Sequence, residues 1–123
     1  MGAAVSAVLL VAAGAAVGAP LRYLVDRTVQ AWHGGPFPWG TLTVNISGSG
    51  VLGLLAALPA GQGLMALAGF GFCGALTTYS TFGYETLRLA EDGARLRAVI
   101  NAAVSITAGL GAAYCGMALA EIL

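Results

Sequence analysis

Apolar residues run through this chain in long charge-free stretches, not in short amphipathic periods. Residues 1–21 carry no charged side chain, and neither do residues 28–84 or 98–120. A membrane-spanning helix needs about 20 largely apolar residues. The first and last stretches each hold one span, and the middle stretch is long enough for two. A cluster of turn-forming residues, Pro59-Ala60-Gly61-Gln62-Gly63, divides it. The pattern predicts an all-α, single-domain protein over residues 1–123, with four transmembrane helices at about 3–25, 39–58, 64–89 and 96–121. A secretory leader over residues 1–21 fits less well. No basic residue precedes the apolar run, and the run is longer than a usual leader core.

Composition narrows the function classes. The chain has 123 residues, room for one domain. Only 8% are charged and 59% are hydrophobic, with mean hydropathy +0.87, whereas soluble domains carry roughly 25% charged residues. A water-soluble surface cannot be made from this inventory. The net charge is zero, there is no lysine, and no basic patch exists to bind nucleic acid. No nucleophile–base pair or metal-ligand spacing supports an enzyme. Cys73 and Cys115 make neither a disulfide framework nor a metal cluster.

The first loop, expected at about 26–38, holds Trp32, His33, Phe37, Pro36 and Pro38, with Trp39 just after it. Tryptophans suit the headgroup region, where the indole N–H stays wet and the ring dry. The third loop is Glu91-Asp92-Gly93. Arg22, Arg27, Arg88, Arg95 and Arg97 all fall on the side of the first and third loops. The positive-inside rule places those loops in the cytoplasm and both termini outside. Gly14 and Gly18 are four residues apart, as are Ser49 and Gly53. That spacing of small residues lets helix backbones approach closely, though small residues are also simply common in membrane helices.

Polar groups inside the spans are costly unless partnered, so each is a candidate site. Arg22 stands near the expected end of the first helix, where an arginine can also snorkel to the interface. Asn45 has Thr41 and Ser49 one turn to either side, which puts three polar groups on one face. Such a face serves either as interhelical glue or as a polar track. The densest cluster is Gly71-Phe72-Cys73-Gly74-Ala75-Leu76-Thr77-Thr78-Tyr79-Ser80-Thr81-Phe82. Glycine and β-branched threonine both weaken a helix there. Either the helix breaks, freeing carbonyls that line a cavity or bind an ion, or it kinks with its hydroxyls bonded back to its own carbonyls. Asn101 and Ser105 lie one turn apart in the fourth span.

These residues, in this order, resemble the Fluc/CrcB family of small fluoride channels over nearly the whole chain. Gly14, Gly18 and Arg22-Tyr23 resemble its first helix. Gly40-Thr41-Leu42-Thr43-Val44-Asn45-Ile46-Ser47-Gly48 is similar to its GTLxVNxxG. The string from Gly71 to Phe82, followed by Glu85, is similar to its GfxGGxTTFSTF and is the most specific part of the match. The resemblance implies an antiparallel dimer with two narrow pores and a third helix broken near its middle. It implies a structural sodium ion on the carbonyls of Gly74 and Thr77 from both subunits. Asn45 would donate to fluoride, the ring edges of Tyr79 and Phe82 would face it, and Arg22 would sit near a pore entrance. Ser80, Thr81 and Ser105 would supply further hydroxyl donors. Fluoride is small and strongly hydrated, so a pore must replace its water with donors, and amides and hydroxyls are donors. Conduction also needs sites that release the ion.

Three positions depart from the family's pattern: Tyr79 for a phenylalanine, Ala75 for a glycine and Gly83 for a serine. They put equal conduction by both pores in question. The arginine bias adds a hypothesis that the chain inserts one way and pairs with an oppositely oriented paralogue instead of with itself. Two rivals remain: a proton-coupled small multidrug transporter, which needs a membrane carboxylate that residues 1–21 lack, and a non-conducting membrane-assembly subunit.

Overall fold

The structure, a computed structural model, describes residues 2–59 and 61–123, without the side chain of Ala3. Ala60, part of the expected second turn, lies outside those residues. All regular structure among the described residues is helical. The first helix, α1, is Gly2–His33, and α2 is Trp39–Ala57. The third span is split. Its first part, α3, covers residues 62–76 and contains a π-helical stretch, Met65–Cys73. Its second part, α4, is Tyr79–Glu91, and the last helix, α5, is Arg95–Ile122. Four helical segments are long and apolar enough to cross a membrane, the third being Gln62–Glu91 taken across its break. Large apolar side chains such as Val8, Leu9, Leu110 and Ile122 point outward, as lipid-facing residues do. The chain is a multi-pass membrane protein.

The first helix runs eight residues past the expected end at 25, so the first loop shrinks from 26–38 to 34–38. Asp26 and Arg27 end a lipid-embedded run, but nothing in their backbone chemistry ends a helix. That happens only at Gly34 and Gly35, whose φ of +65° and +76° lie in the left-handed region. The Gly34 N–H still donates to the Gln30 carbonyl at 2.8 Å. Arg22 is therefore inside the helix, not at its end. At 1.5 Å per residue, α1 is about 48 Å long, against a hydrocarbon core of about 30 Å, so its charged end reaches past the apolar slab.

Small residues set the packing. The first helix lies along α3, and α2 lies along α5. A Cβ on Gly14 would run into the Leu67 and Phe72 backbones, and one on Gly18 into the Phe72 carbonyl. On the other side, a Cβ on Gly53 would meet the Ala113 carbonyl, and one on Gly116 the Gly50 carbonyl. The expected close approach at Gly14 and Gly18, and at Gly53, is the main contact between helices, because lipid offers no hydrophobic drive for them to associate.

Candidate functional site

The site begins where the third span stops being a helix. Thr77 (φ −85°, ψ 159°) and Thr78 (φ −152°, ψ 119°) are extended. The sequence places the interruption within Gly71–Phe82, and the backbone leaves the helix at Thr77 and Thr78. An extended pair at bilayer depth strands main-chain donors and acceptors, each costing several kcal/mol if left dry. Asn45 on α2 meets both groups of Thr78. Its Oδ1 accepts the Thr78 N–H at 2.8 Å, and its Nδ2 donates to the Thr78 carbonyl at 3.1 Å. A carboxamide suits this because it carries an acceptor and donors side by side. One Nδ2 hydrogen is left over. Thr78 also caps α4, its hydroxyl accepting the Thr81 N–H at 3.2 Å.

These diversions leave carbonyls around the break without helical donors. In an unbroken helix the Gly74 carbonyl would accept from Thr78 N–H, and the Thr77 carbonyl from Thr81 N–H. Both donors go to side chains instead. The two carbonyls that the family resemblance implies for a cation thus lose their helical donors, and the same break takes the Ala75 and Leu76 carbonyls out of i+4 pairing. By contrast, the Cys73 carbonyl is doubly occupied, accepting the Thr77 N–H at 3.0 Å and the Thr77 hydroxyl at 2.9 Å. Back-bonding of a hydroxyl, the alternative to a break, therefore occurs at Thr77 alongside the break. Gly74 and Thr77 border a cavity of about 190 Å³ shared with Gly48, Phe70 and Tyr79. Among the described residues no three His, Cys, Asp or Glu side chains gather.

Beside the break lies a larger groove of about 480 Å³ between α2, α4 and α5. Asn45, Ser49, Tyr79, Phe82 and Ser105 line one part of it, and Leu52, Leu110 and Met117 another. Four of the seven residues named for an anion path thus meet in one place. Tyr79 is 82% exposed and borders both the groove and the smaller cavity. The other three lie outside the lining. Ser80 is exposed and stands 3.4 Å from the Thr78 hydroxyl. Thr81 accepts from that hydroxyl at 3.2 Å. Arg22 is half-buried on α1, its Nε without a hydrogen-bond partner.

Two polar links join the helices around the groove. Thr41, 2% exposed, donates its hydroxyl to the Glu85 carboxylate. The expected polar face of α2 therefore divides its work: Thr41 holds α4, Asn45 holds the break, and Ser49 faces the groove. On the α5 side, fully buried Asn101 donates to the Thr86 hydroxyl at 2.8 Å, and Thr86 donates to the Phe82 carbonyl at 2.8 Å. Sequence reasoning passed over Thr86 and did not assign Asn101 or Glu85 to the site. The signal was available in the four-residue spacing of Phe82 to Thr86 and Asn101 to Ser105, which aligns side chains on one helix face.

Residues 9–117 match the family described as CrcB-like protein, Camphor Resistance (CrcB). The chain is 59% identical over 122 residues to Fluoride-specific ion channel FluC 1 of Frankia casuarinae, covering 92% of this chain and 95% of the relative. It is 57% identical over 119 residues to Fluoride-specific ion channel FluC 1 of Streptomyces avermitilis, covering 94% of this chain and 96% of the relative. Fluoride-specific ion channel FluC 2 of Rhodococcus jostii is 45% identical over 112 residues, with 91% and 96% covered.

Proposed function

The chain belongs to the CrcB family, and from its groove we propose that it is a passive fluoride channel, exporting the ion along Asn45, Tyr79, Phe82 and Ser105. The observation that carries this is the convergence of amide, hydroxyl and aromatic side chains in one half-open groove. A dehydrated fluoride needs hydrogen-bond donors, and the rings offer their positive edges. The groove has no fixed cation among its lining residues, so the ion is solvated without being trapped. An open groove is half a pore, and a second, antiparallel chain closes it.

The Gly74 and Thr77 carbonyls, deprived of helical donors, suit a hard cation. No carboxylate borders their cavity, which favours a monovalent ion such as sodium over calcium. The ion supplies fixed positive charge between the two breaks. The arginines at one end of the bundle direct insertion one way, so in a cell the partner is a related chain of opposite orientation. Terminal tags probed with protease on intact cells are expected on one side only; tags found equally on both sides overturn that part.

Detergent imposes neither orientation, so the purified chain can form an antiparallel pair on reconstitution. Liposomes made this way and loaded with potassium fluoride are expected to release fluoride once an ionophore carries potassium out, whereas chloride-loaded liposomes hold their contents. Retention of fluoride overturns the channel reading. Exchanging sodium for N-methylglucamine throughout purification is expected to lower the melting temperature and the efflux; unchanged values overturn the sodium site.

A further inference from the structure

The hydroxyl of Ser105 is held unlike those of four threonines in the same bundle. Thr28, Thr43, Thr77 and Thr86 each donate to the carbonyl four residues earlier, at 2.7, 2.8, 2.9 and 2.8 Å. That is the default for a hydroxyl on a helix in an apolar setting. Ser105 instead donates to the side chain of Asn101, at 3.4 Å. A bond that long is weak and easily exchanged.

The polarity of Asn101 follows from a count of hydrogens. Thr86 has one hydroxyl hydrogen, and the Phe82 carbonyl takes it. Thr86 can then only accept from Asn101, so the Asn101 NH₂ faces Thr86 and its Oδ1 faces Ser105. Asn101 is 1% exposed and cannot turn outward to water. Its amide is therefore fixed in the orientation that offers Ser105 a distant, replaceable acceptor. Ser105 lines the groove, and Asn101 does not.

We propose that Asn101 is a positioning residue that keeps the Ser105 hydrogen off the helix backbone and available to the passing anion, an inference that rests on the channel reading above. Without that acceptor, Ser105 falls back on the carbonyl of residue 101, a shorter bond which fluoride must break before it can be solvated. Asn101→Leu preserves bulk and leaves the Thr86 hydrogen on Phe82.

The test compares fluoride efflux from liposomes holding wild type, Asn101→Leu, Ser105→Ala and the double variant, each checked for the wild-type elution profile. Asn101→Leu and Ser105→Ala are each expected to slow efflux about fivefold, the worth of one hydrogen bond. The double variant is expected to be no slower than Ser105→Ala, because Asn101 acts through Ser105 alone. A double variant slower again by the Asn101→Leu factor overturns the inference, since a packing role is indifferent to Ser105. An Asn101→Leu rate equal to wild type overturns it too. In both cases wild-type efflux persists and the channel reading stands; wild type without efflux removes both.

Discussion

The two parts of the third span are held by different physics. Residues 62–76 bury Ala66, Gly69, Gly71 and Cys73, widen into a π-helix and press their backbone against Gly14 and Gly18 of α1. Tyr79–Glu91 buries only Leu89, and polar side chains fasten it: Thr78 at its cap, Glu85 to Thr41, Thr86 to Asn101. The first part depends on the absence of side chains, the second on the hydrogen bonds that side chains make. Damage to the first should therefore abolish the fold, whereas damage to the second should leave a folded protein with altered transport.

Gly18→Leu gives the largest expected effect. Its side chain meets the Phe72 backbone, which has no rotamer to yield. Size-exclusion chromatography is expected to show loss of monodisperse protein; a normal peak would erase the distinction between the two parts. Asn45→Leu comes next. It strands the N–H and carbonyl of Thr78, at about 1–3 kcal/mol for each buried group. Fluoride efflux is expected to fall by two orders of magnitude or more, on the order of the rate equivalent of those losses. Thr41→Val removes the one hydroxyl on Glu85 and is expected to lower stability by about 1–3 kcal/mol, read as a reduced melting temperature with the elution profile intact. Tyr79→Phe is the smallest. It keeps the ring and deletes a hydroxyl that has no hydrogen-bond partner among the described residues, so efflux is expected to stay within about twofold of wild type, as for exposed sites generally. A large change at Tyr79→Phe would give the phenol a direct part in handling the anion.

The same contrast marks what the sequence disclosed. Charge-free runs locate the spans because lipid forbids charge, and this constraint is strong enough to read without a structure. The break was legible because glycines and threonines are costly in a helix, whereas the particular carbonyls of Gly74 and Thr77 came only from the family resemblance. Asn45 was legible as important, but its grip on Thr78 was not, since an amide that solvates an ion and one that satisfies a backbone look alike in sequence. The π-helical stretch left no mark, because Met65–Cys73 reads as any apolar helix. The end of α1 was misplaced because charge stops a membrane run without stopping a helix. Trp32 and His33, expected in the first loop, lie instead in the last turn of α1. The aromatic cluster still forms across the shortened loop, with His33 stacked on Trp39 at 5.0 Å and Phe37 4.7 Å from Trp39. Gln30 ties that loop down by bonding the Gly35 and Phe37 carbonyls and accepting from Gly40, a role its sequence context does not signal.

The open flank of the groove has a consequence for the cell that makes this protein. Under the pairing proposed above, a freshly inserted chain would offer ions no walled conduit, and synthesis by itself would not leak. Flux would begin when this chain meets its oppositely oriented partner, and while pairing is incomplete it would climb with the product of the two surface densities. Joint changes in the expression of both chains would thereby be amplified, and a membrane holding a few stray copies would stay tight.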